Sequence, residues 1–313
     1  EQENGEKSGS FHGSVLSRGR ERVKYRRNLN SGPFPTRNDV IARPIALSAS
    51  HPVEYNLCKS TELPPGSEMN KTGVMICGHG SRDIRAVEEF ASLQSSLAAR
   101  LPEYTVEYGF LEFAKPIIRD GLDKLRDQGV NHVLAVPGIL FSAGHVKNDI
   151  ASVLNEYQRS QNDPLFKIEY GRPLDIDTRM LYASEARIRE AMAAAPSNVP
   201  IDETLIMVVG RGTSDPDANG NINKICRFIW EGMGFGWGEV CYSGVTFPLI
   251  APGLEHAAKL GYRRIVVFPY FLFTGVLVRR IYDITDQIAE KFPDIEFLKA
   301  GYLNDHPQVI GTF

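Results

Sequence analysis

Two histidines, His79 and His145, are the residues of this chain best suited to hold a metal ion. Each stands beside glycine in a short loop, and each loop follows an apolar run that predicts a β-strand. Neutral imidazole binds divalent cobalt, iron, nickel or zinc, and two imidazoles leave coordination positions open for the nitrogens of a substrate. The alternative for either histidine alone is a loop side chain that bonds only to nearby backbone groups.

Two carboxylates could assist these histidines. Glu112 follows the second predicted strand, where it could supply an oxygen ligand or accept a proton. Asp149 lies one helical turn beyond His145 and could orient that imidazole by accepting its second N–H. Either residue could equally be a carboxylate on a solvent-exposed surface. The carboxyl ends of parallel strands meet at one edge of a sheet, so we expect the candidates to face one cleft.

The chain repeats itself at an offset of 132 residues. Turn and core residues recur at this offset, as in Met75 and Met207, Gly78 and Gly210, Gly80 and Gly212, Asp83 and Asp215, and Pro116 and Pro248. The second copy lacks the candidate metal ligands, because Arg211, Leu277 and Gly244 stand where the first has His79, His145 and Glu112. The sequence therefore predicts one metal site, in the first half.

Short β-rich runs alternate with longer helical runs in both halves. In the first half we predict strands at 73–77, 105–111, 132–136 and 166–170, and helices at 84–100, 116–128, 145–158 and 177–193. In the second half we predict strands at 204–209, 239–245, 264–268 and 295–299, and helices at 219–233, 251–260, 277–291 and from 306. This alternation indicates right-handed crossovers. The predicted fold class is α/β, with two similar domains built on parallel sheets.

Three segments follow from this pattern. Residues 1–70 are rich in arginine and proline and lack sustained periodicity, so we predict a disordered and dispensable extension. An organelle leader is the alternative, which the acidic residues of the segment disfavour. Residues 71–198 are predicted to form a first domain with the metal site. Residues 199–313 are predicted to form a second domain that lacks the site, and its last helix is expected to continue past Phe313.

The composition narrows the class of protein. With 313 residues, 42% hydrophobic and 23% charged, the chain has the balance of a water-soluble globular protein of two domains. A formal net charge of -3 gives no reason to expect nucleic acid as a partner, and no apolar run predicts a membrane helix. Four scattered cysteines without C-x-x-C spacing favour reduced thiols and a cytoplasmic location. We interpret Cys77, within an apolar run, as a core residue.

The motifs in the first half resemble those of a known family. They are His79-Gly-Ser-Arg82 after the first strand, Phe110-Leu-Glu112 after the second, and Gly144-His145-x-x-x-Asp149. In a duplicated α/β chain they resemble the class II tetrapyrrole chelatases, in particular the sirohydrochlorin cobaltochelatases of cobalamin biosynthesis. The resemblance covers about residues 71–313.

This resemblance implies a bilobal fold that holds a tetrapyrrole between its lobes. It implies no ATP and no organic cofactor, and a divalent metal as substrate, either Co²⁺ or else Fe²⁺ or Ni²⁺. It implies that His79 and His145 bind the metal and abstract protons, and Glu112 matches an acidic position of the family. The macrocycle would be held by residues near these histidines, namely Ser81, Arg82, Gly144 and Lys147, while Lys115 and Arg211 could also pair with its carboxylates.

Several functional alternatives stay open at this point. A ferrochelatase would use the same substrate and the same histidines, because imidazole suits iron as well as cobalt. A non-catalytic metal or tetrapyrrole carrier would need the histidines as ligands but not as bases. A phosphate-binding enzyme is a third reading, although the glycine spacing after the first strand matches neither common nucleotide-binding motif. One chain could supply both lobes, so a monomer or a homodimer is expected.

Overall fold

The computed structural model describes residues 71–141, 143 and 146–313, with the backbone alone at 146 and 147. The prediction for residues 1–70 lies outside this range. The strands are β1 Thr72–Gly78, β2 Thr105–Phe110, β3 His132–Pro137, β4 Lys167–Tyr170, β5 Thr204–Gly210, β6 Trp237–Tyr242, β7 Arg264–Pro269 and β8 Glu296–Lys299. The helices are α1 Ile84–Arg100, α2 Ile118–Asp127, α3 Val146–Ser160, α4 Thr178–Ala193, α5 Pro216–Met233, α6 Ile250–Ala258, α7 Val276–Lys291 and α8 Pro307–Thr312.

The strands form two four-stranded sheets with the same topology. The spatial orders are β2-β1-β3-β4 and β6-β5-β7-β8, and every pair of neighbouring strands is parallel. The central strands β1 and β5 are almost wholly apolar and buried, as expected for strands covered by helices on both faces. The predicted α/β fold with two parallel sheets is confirmed. No helix among the described residues is long and apolar enough to cross a membrane.

Helix α1 shows how the sequence sets a local element beside the first candidate loop. Its N-cap Asp83 accepts a hydrogen bond from the backbone N–H of Arg85, which satisfies a donor that the first helical turn leaves unpaired. Its buried residues are Ala86, Phe90, Leu93 and Leu97, spaced four, three and four residues apart along one face. The face packs on β1, so the residues before α1 are fixed at the carboxyl end of that strand.

The two repeats share the turns that follow their second strands. Phe110 bridges to Ile117 in the first repeat, as Tyr242 bridges to Leu249 in the second. Both turns have a left-handed residue at the same place, and φ is 66° there in each case. The 132-residue offset holds through the third strands but not the fourth, since His132 pairs with Lys167 whereas Arg264 pairs with Glu296, 129 residues after Lys167.

Two predicted element bounds are wrong for an identifiable reason. Pro116 was expected in the first turn of a helix, but α2 begins at Ile118. The carbonyl of Pro116 instead accepts a hydrogen bond from the N–H of Phe110 at 2.9 Å, which extends the edge of the sheet. The second repeat does the same with Pro248 and Tyr242, also at 2.9 Å, so β6 ends at Tyr242 rather than at residue 245.

The last helix of each repeat packs against the other repeat. Met180 and Ile188 of α4 lie in one apolar cluster with Val208 of β5. Ile310 of α8 lies in the cluster that contains Phe90 of α1. The two sheets belong to one compact unit as a consequence. The boundary expected between the two domains stays a prediction.

Candidate active site

A cleft of about 700 Å³ lies at the carboxyl edges of both sheets. Its walls are the loops that follow β1, β3, β5 and β7, together with the first turn of α7, and the turns after β2 and β6 each contribute one residue. This is the edge at which open parallel sheets bind ligands, because the loops there are free to vary. Both repeats therefore line one cavity, and the first contributes His79 to it.

His79 meets Glu112 beside this cleft, as the strand order predicts. The Nε2 atom of His79 is 3.5 Å from Oε1 of Glu112, whose side chain is 44% exposed. The backbone joins the same two residues, because the N–H of Glu112 donates to the carbonyl of His79 at 3.0 Å. The imidazole nitrogen and the carboxylate oxygen are both groups that accept protons and bind metal ions, so the pair can act as a base or bind a cation.

Glycine is required at position 80, where the loop after β1 meets the backbone of Glu112. A Cβ atom at this position would lie 1.8 Å from the backbone oxygen of Glu112, and its φ is +101°. Both the contact and the left-handed backbone exclude a larger side chain. The second repeat has the same arrangement, with Gly212 placed 1.9 Å from the oxygen of Gly244. The glycine in the loop after β1 is therefore set by the fold, and it does not indicate a phosphate loop.

Ser81 and Arg82 both line the cleft, and the substrate contact expected of them stays a prediction. The Ser81 hydroxyl accepts a hydrogen bond from the N–H of Asp83 at 3.1 Å, so it also stabilises the start of α1. The guanidinium carbon of Arg82 is 4.9 Å from the centroid of the Phe113 ring. Arg82 is solvent-exposed, which leaves its charge available to a bound anion.

The second group of predicted residues lies partly outside the described range. His145 and Gly144 are not described, and neither is the side chain of Lys147. The described part of the same loop, from Ile139 to Phe141 with Ala143, lines the cleft. Asp149 lies in the first turn of α3 and is partly buried. The roles expected for these residues stay predictions.

The second repeat adds an arginine where the first has its histidine. Arg211 lines the cleft and is exposed, and Leu277 lines it from the first turn of α7. Lys115 is exposed but does not line the cleft. Among the described residues, no group of three or more His, Cys, Asp and Glu side chains is placed to hold a metal ion. Among the described residues, the potential metal ligands of the site are thus the imidazole of His79 and the carboxylate of Glu112.

Cys77 lies directly below the His79 loop but does not join the site. Its side chain is fully buried at the end of β1, and burial raises the pKa of its thiol to about 12. A thiol ligates metals as the thiolate, which this environment disfavours. The prediction that Cys77 is a core residue is confirmed.

Three hydrogen bonds between the repeats were not predicted. The carboxylate of Asp83 accepts a hydrogen bond from Arg279 of α7 at 2.5 Å. Glu89 of α1 accepts two hydrogen bonds, one from the N–H of Thr274 at 2.7 Å and one from the hydroxyl of Tyr302 at 2.6 Å. These contacts join α1 and its N-cap to three places in the second repeat, namely the loop after β7, helix α7 and the segment after β8. No local pattern marks them, since the bonded residues lie between 185 and 213 positions apart in the sequence.

Apolar side chains cover much of the rest of the cleft. They come from both repeats and are partly or wholly exposed at its rim, where Phe113 has 50% and Val276 has 59% of its surface exposed. A cleft with both apolar lining and exposed cations suits a ligand with an apolar centre and an anionic periphery. A polycarboxylate macrocycle has this character.

Comparison with known proteins identifies the family. The CbiX family model matches the chain twice, over residues 73–191 and 205–313. The chain belongs to the CbiX family. The two matches correspond to the two repeats, so this CbiX protein is the duplicated, two-lobed form of a class II chelatase. The predicted family is confirmed.

Curated relatives of this CbiX chain carry two metal assignments. It is 37% identical to a sirohydrochlorin cobaltochelatase of Priestia megaterium over 238 residues. This match covers 75% of this chain and 76% of the relative. It is 30% identical to a sirohydrochlorin ferrochelatase of the same organism, which covers 74% of this chain and 84% of the relative. The chain is therefore a member of the sirohydrochlorin chelatase family, within the lyase class of metal chelatases.

Solved structures agree with this assignment. The structure of SirB from Bacillus subtilis with Fe³⁺ matches with a TM-score of 0.66 and 26% identity, over 77% of this chain and 92% of SirB. SirB from Bacillus subtilis subspecies spizizenii in complex with cobalt matches with a TM-score of 0.62 and 25% identity, over 78% of this chain and 92% of SirB. The predicted two-lobed chelatase fold of this CbiX protein is confirmed.

Proposed function

We propose that this CbiX protein inserts Co²⁺ into sirohydrochlorin without ATP, as a cobaltochelatase of cobalamin biosynthesis. The observation that carries the proposal is the placement of His79 beside Glu112, 3.5 Å apart, in a cleft to which both repeats contribute. The identity of 37% to a sirohydrochlorin cobaltochelatase supports the choice of substrate. The same comparison supports cobalt over iron, because the ferrochelatase relative is 30% identical.

The chemistry of insertion requires a base and exchangeable ligands. Two pyrrole N–H protons must leave the macrocycle as the divalent metal enters, so the two positive charges of the metal replace those of the two protons, which bases must take up. The imidazole of His79 is proposed to accept one of these protons, and the neighbouring Glu112 carboxylate would stabilise the resulting imidazolium. His145 is proposed as the second base and metal ligand. Imidazole nitrogens also release a divalent ion readily enough to pass it to the substrate.

The anionic periphery of the substrate needs cations around the cleft. We propose that Arg82 from the first repeat and Arg211 from the second pair with its carboxylates, because both are exposed and line the cleft. Ser81 would contribute a hydroxyl, and Gly144 and Lys147 would contact the macrocycle from the loop before α3. Cations on opposite walls would fix the orientation of the ring between them.

A ferrochelatase is the second candidate. The supporting observation is the ferrochelatase relative in Priestia megaterium, together with the 26% identical SirB structure that contains Fe³⁺. Imidazole and carboxylate groups accept both ions, so the residues near His79 do not discriminate strongly between them.

The test is anaerobic metallation of sirohydrochlorin, followed by its absorption spectrum. Protein-dependent insertion of Co²⁺ is expected, and His79→Ala and His145→Ala should each lower the rate by about 100-fold. His256→Ala is the control, because His256 is exposed in the last turn of α6, away from the cleft. Parallel reactions with Fe²⁺ rank the two metals. Metal binding by the folded protein without faster insertion would contradict the proposal and favour a carrier.

A further inference from the structure

Phe113 lies at the centre of a tight turn with unusual backbone geometry. Its φ is 66°, and the N–H of Ala114 donates to the carbonyl of Glu112 at 2.9 Å. A hydrogen bond between residues two apart around a left-handed residue defines a γ-turn that is rare and strained. A bulky residue at positive φ is an outlier, because its Cβ crowds the backbone where glycine would fit freely.

The fold fixes this turn but does not demand phenylalanine in it. The second repeat has the same turn, with φ of 66° at Val245 and a 2.8 Å hydrogen bond from Thr246 to Gly244. In both repeats the preceding residues are bonded to the end of the first strand, as Leu111 is to Gly78 at 2.8 Å. The backbone path is therefore common to both copies, and the aromatic ring is specific to the first.

The Phe113 ring contacts both residues through which the first repeat is proposed to act. Its centroid lies 5.8 Å from that of the His79 imidazole, with 16° between the planes, and the Arg82 guanidinium carbon lies 4.9 Å from it. Half of the side chain surface is still exposed. An exposed aromatic ring in a strained turn contributes little to core packing, so stability does not account for it.

We infer that Phe113 is a positioning residue that holds the His79 imidazole and the Arg82 guanidinium in the orientations needed by a tetrapyrrole in the cleft. The inference rests on the proposed function for its substrate. Stacking restricts rotation of the imidazole about its side-chain bonds, and the cation over the ring restricts the long arginine side chain. The strained backbone is retained because glycine would relieve it only by removing the ring.

The matched variants are Phe113→Gly, Phe113→Leu, Phe113→Tyr and Val245→Gly. Glycine removes the strain at either turn, so Phe113→Gly and Val245→Gly should melt at the wild-type temperature or up to about 4 °C higher. Phe113→Gly and Phe113→Leu should nevertheless lower kcat for Co²⁺ insertion by about tenfold or more, because the imidazole loses its fixed orientation. Phe113→Tyr should keep kcat close to the wild-type value, because tyrosine retains the aromatic ring. Val245→Gly should have a much smaller effect on kcat.

A second readout separates this inference from the proposed function. In proton–carbon NMR spectra of the protein without substrate, the His79 ring signals should shift in Phe113→Leu and Phe113→Gly but stay in place in Val245→Gly, because the Phe113 ring stacks on that imidazole. Absence of insertion by the wild-type protein would overturn the proposed function, whereas the His79 shifts would still support the orienting contact. Unchanged kcat and unchanged His79 signals in Phe113→Leu would overturn the inference.

Discussion

Oδ2 of Asp83 and Nη1 of Arg279 lie 2.5 Å apart and join the two repeats at the edge of the cleft. Asp83 directly follows the His79 loop, and Arg279 follows the loop that forms the opposite wall. The Asp83 side chain is only 8% exposed, whereas that of Arg279 is 41% exposed. An ion pair of this kind contributes modestly to stability, so we assign it chiefly to fixing the distance between the two walls.

Asp83→Asn should separate these two effects. Asparagine caps helices about as well as aspartate, so α1 should keep its first turn while the charge that faces Arg279 is lost. We expect a loss of stability below about 1 kcal/mol, and a KM for sirohydrochlorin that rises more than kcat falls. Arg263→Gln is the control, since it removes an exposed ion pair to Glu203 in the second repeat. Equal effects of both substitutions on KM would contradict the assignment.

Gly80→Ala should disrupt the contact between the first two loops. Its Cβ would meet the Glu112 oxygen at 1.8 Å, whereas a Cβ at Gly129 would meet nothing within 4 Å. Both glycines have positive φ, at 101° and 79°, so the two variants share the backbone strain of about 1 kcal/mol. Urea unfolding should show a loss at Gly80→Ala about 2 kcal/mol larger than at Gly129→Ala. Similar losses of stability in the two variants would contradict this expectation and would mean that the backbone at Glu112 shifts to accommodate the added Cβ.

The buried cysteines should resist alkylation in the folded protein. Burial raises the pKa of the Cys77 thiol to about 12, and burial with the nearby Glu239 raises that of Cys226 to about 12. Burial also raises the pKa of Cys241. At pH 8 these thiols are protonated and shielded, so mass spectrometry after iodoacetamide treatment should find them unmodified until denaturant is added. Rapid labelling of Cys77 in the native protein would contradict the described packing.

Glu296 should make the free energy of unfolding depend on pH in the acidic range. Burial raises the pKa of its carboxyl, but hydrogen bonds from Ser197 and Arg264 outweigh burial and hold the pKa below the ordinary value of 4.5. Its stabilising contribution is therefore present above about pH 4.5 and is lost as pH falls through the lowered pKa. Glu296→Gln should cost about 2 kcal/mol at pH 7, because it leaves the buried Arg264 guanidinium without its counter-charge.

Denaturant titrations at several pH values would check this expectation. The wild type should lose stability more steeply than Glu296→Gln between about pH 5 and pH 3. Lys291→Gln is a suitable control, because it removes an exposed ion pair to Glu255 and should leave that acid dependence in place. Parallel curves for wild type and Glu296→Gln would show that this carboxyl is not linked to folding.

The sequence predicts the features of this molecule that follow from the order of strands and turns within one repeat. The recurrence of Gly80 at Gly212 reflects a close backbone approach that any copy of the fold must make, so it was visible as a repeat. The encounter of His79 with Glu112 follows from adjacent parallel strands ending at one edge. Pro116 was misplaced because proline is common in the first turn of a helix, whereas here its carbonyl accepts a hydrogen bond from Phe110 at the edge of the sheet.

Contacts between the repeats could not be predicted in this way. The pairing of Asp83 with Arg279 depends on how the two lobes pack, and neither residue lies in a distinctive local motif. The packing of Met180 on the second sheet likewise follows from the path of the chain after β4. The contacts of Phe113 with His79 and Arg82 could not be predicted, because they depend on the strained turn at Phe113, which has no sequence signature.

The most direct test compares His79→Ala with Arg211→Ala, the substitutions at equivalent positions of the two repeats, in steady-state Co²⁺ insertion. If a single site in the first repeat supplies the base, His79→Ala should lower kcat by about 100-fold or more, while Arg211→Ala should mainly raise KM for sirohydrochlorin. A His79→Ala protein that is folded and keeps its kcat, or two variants with equal losses of kcat, would contradict the account.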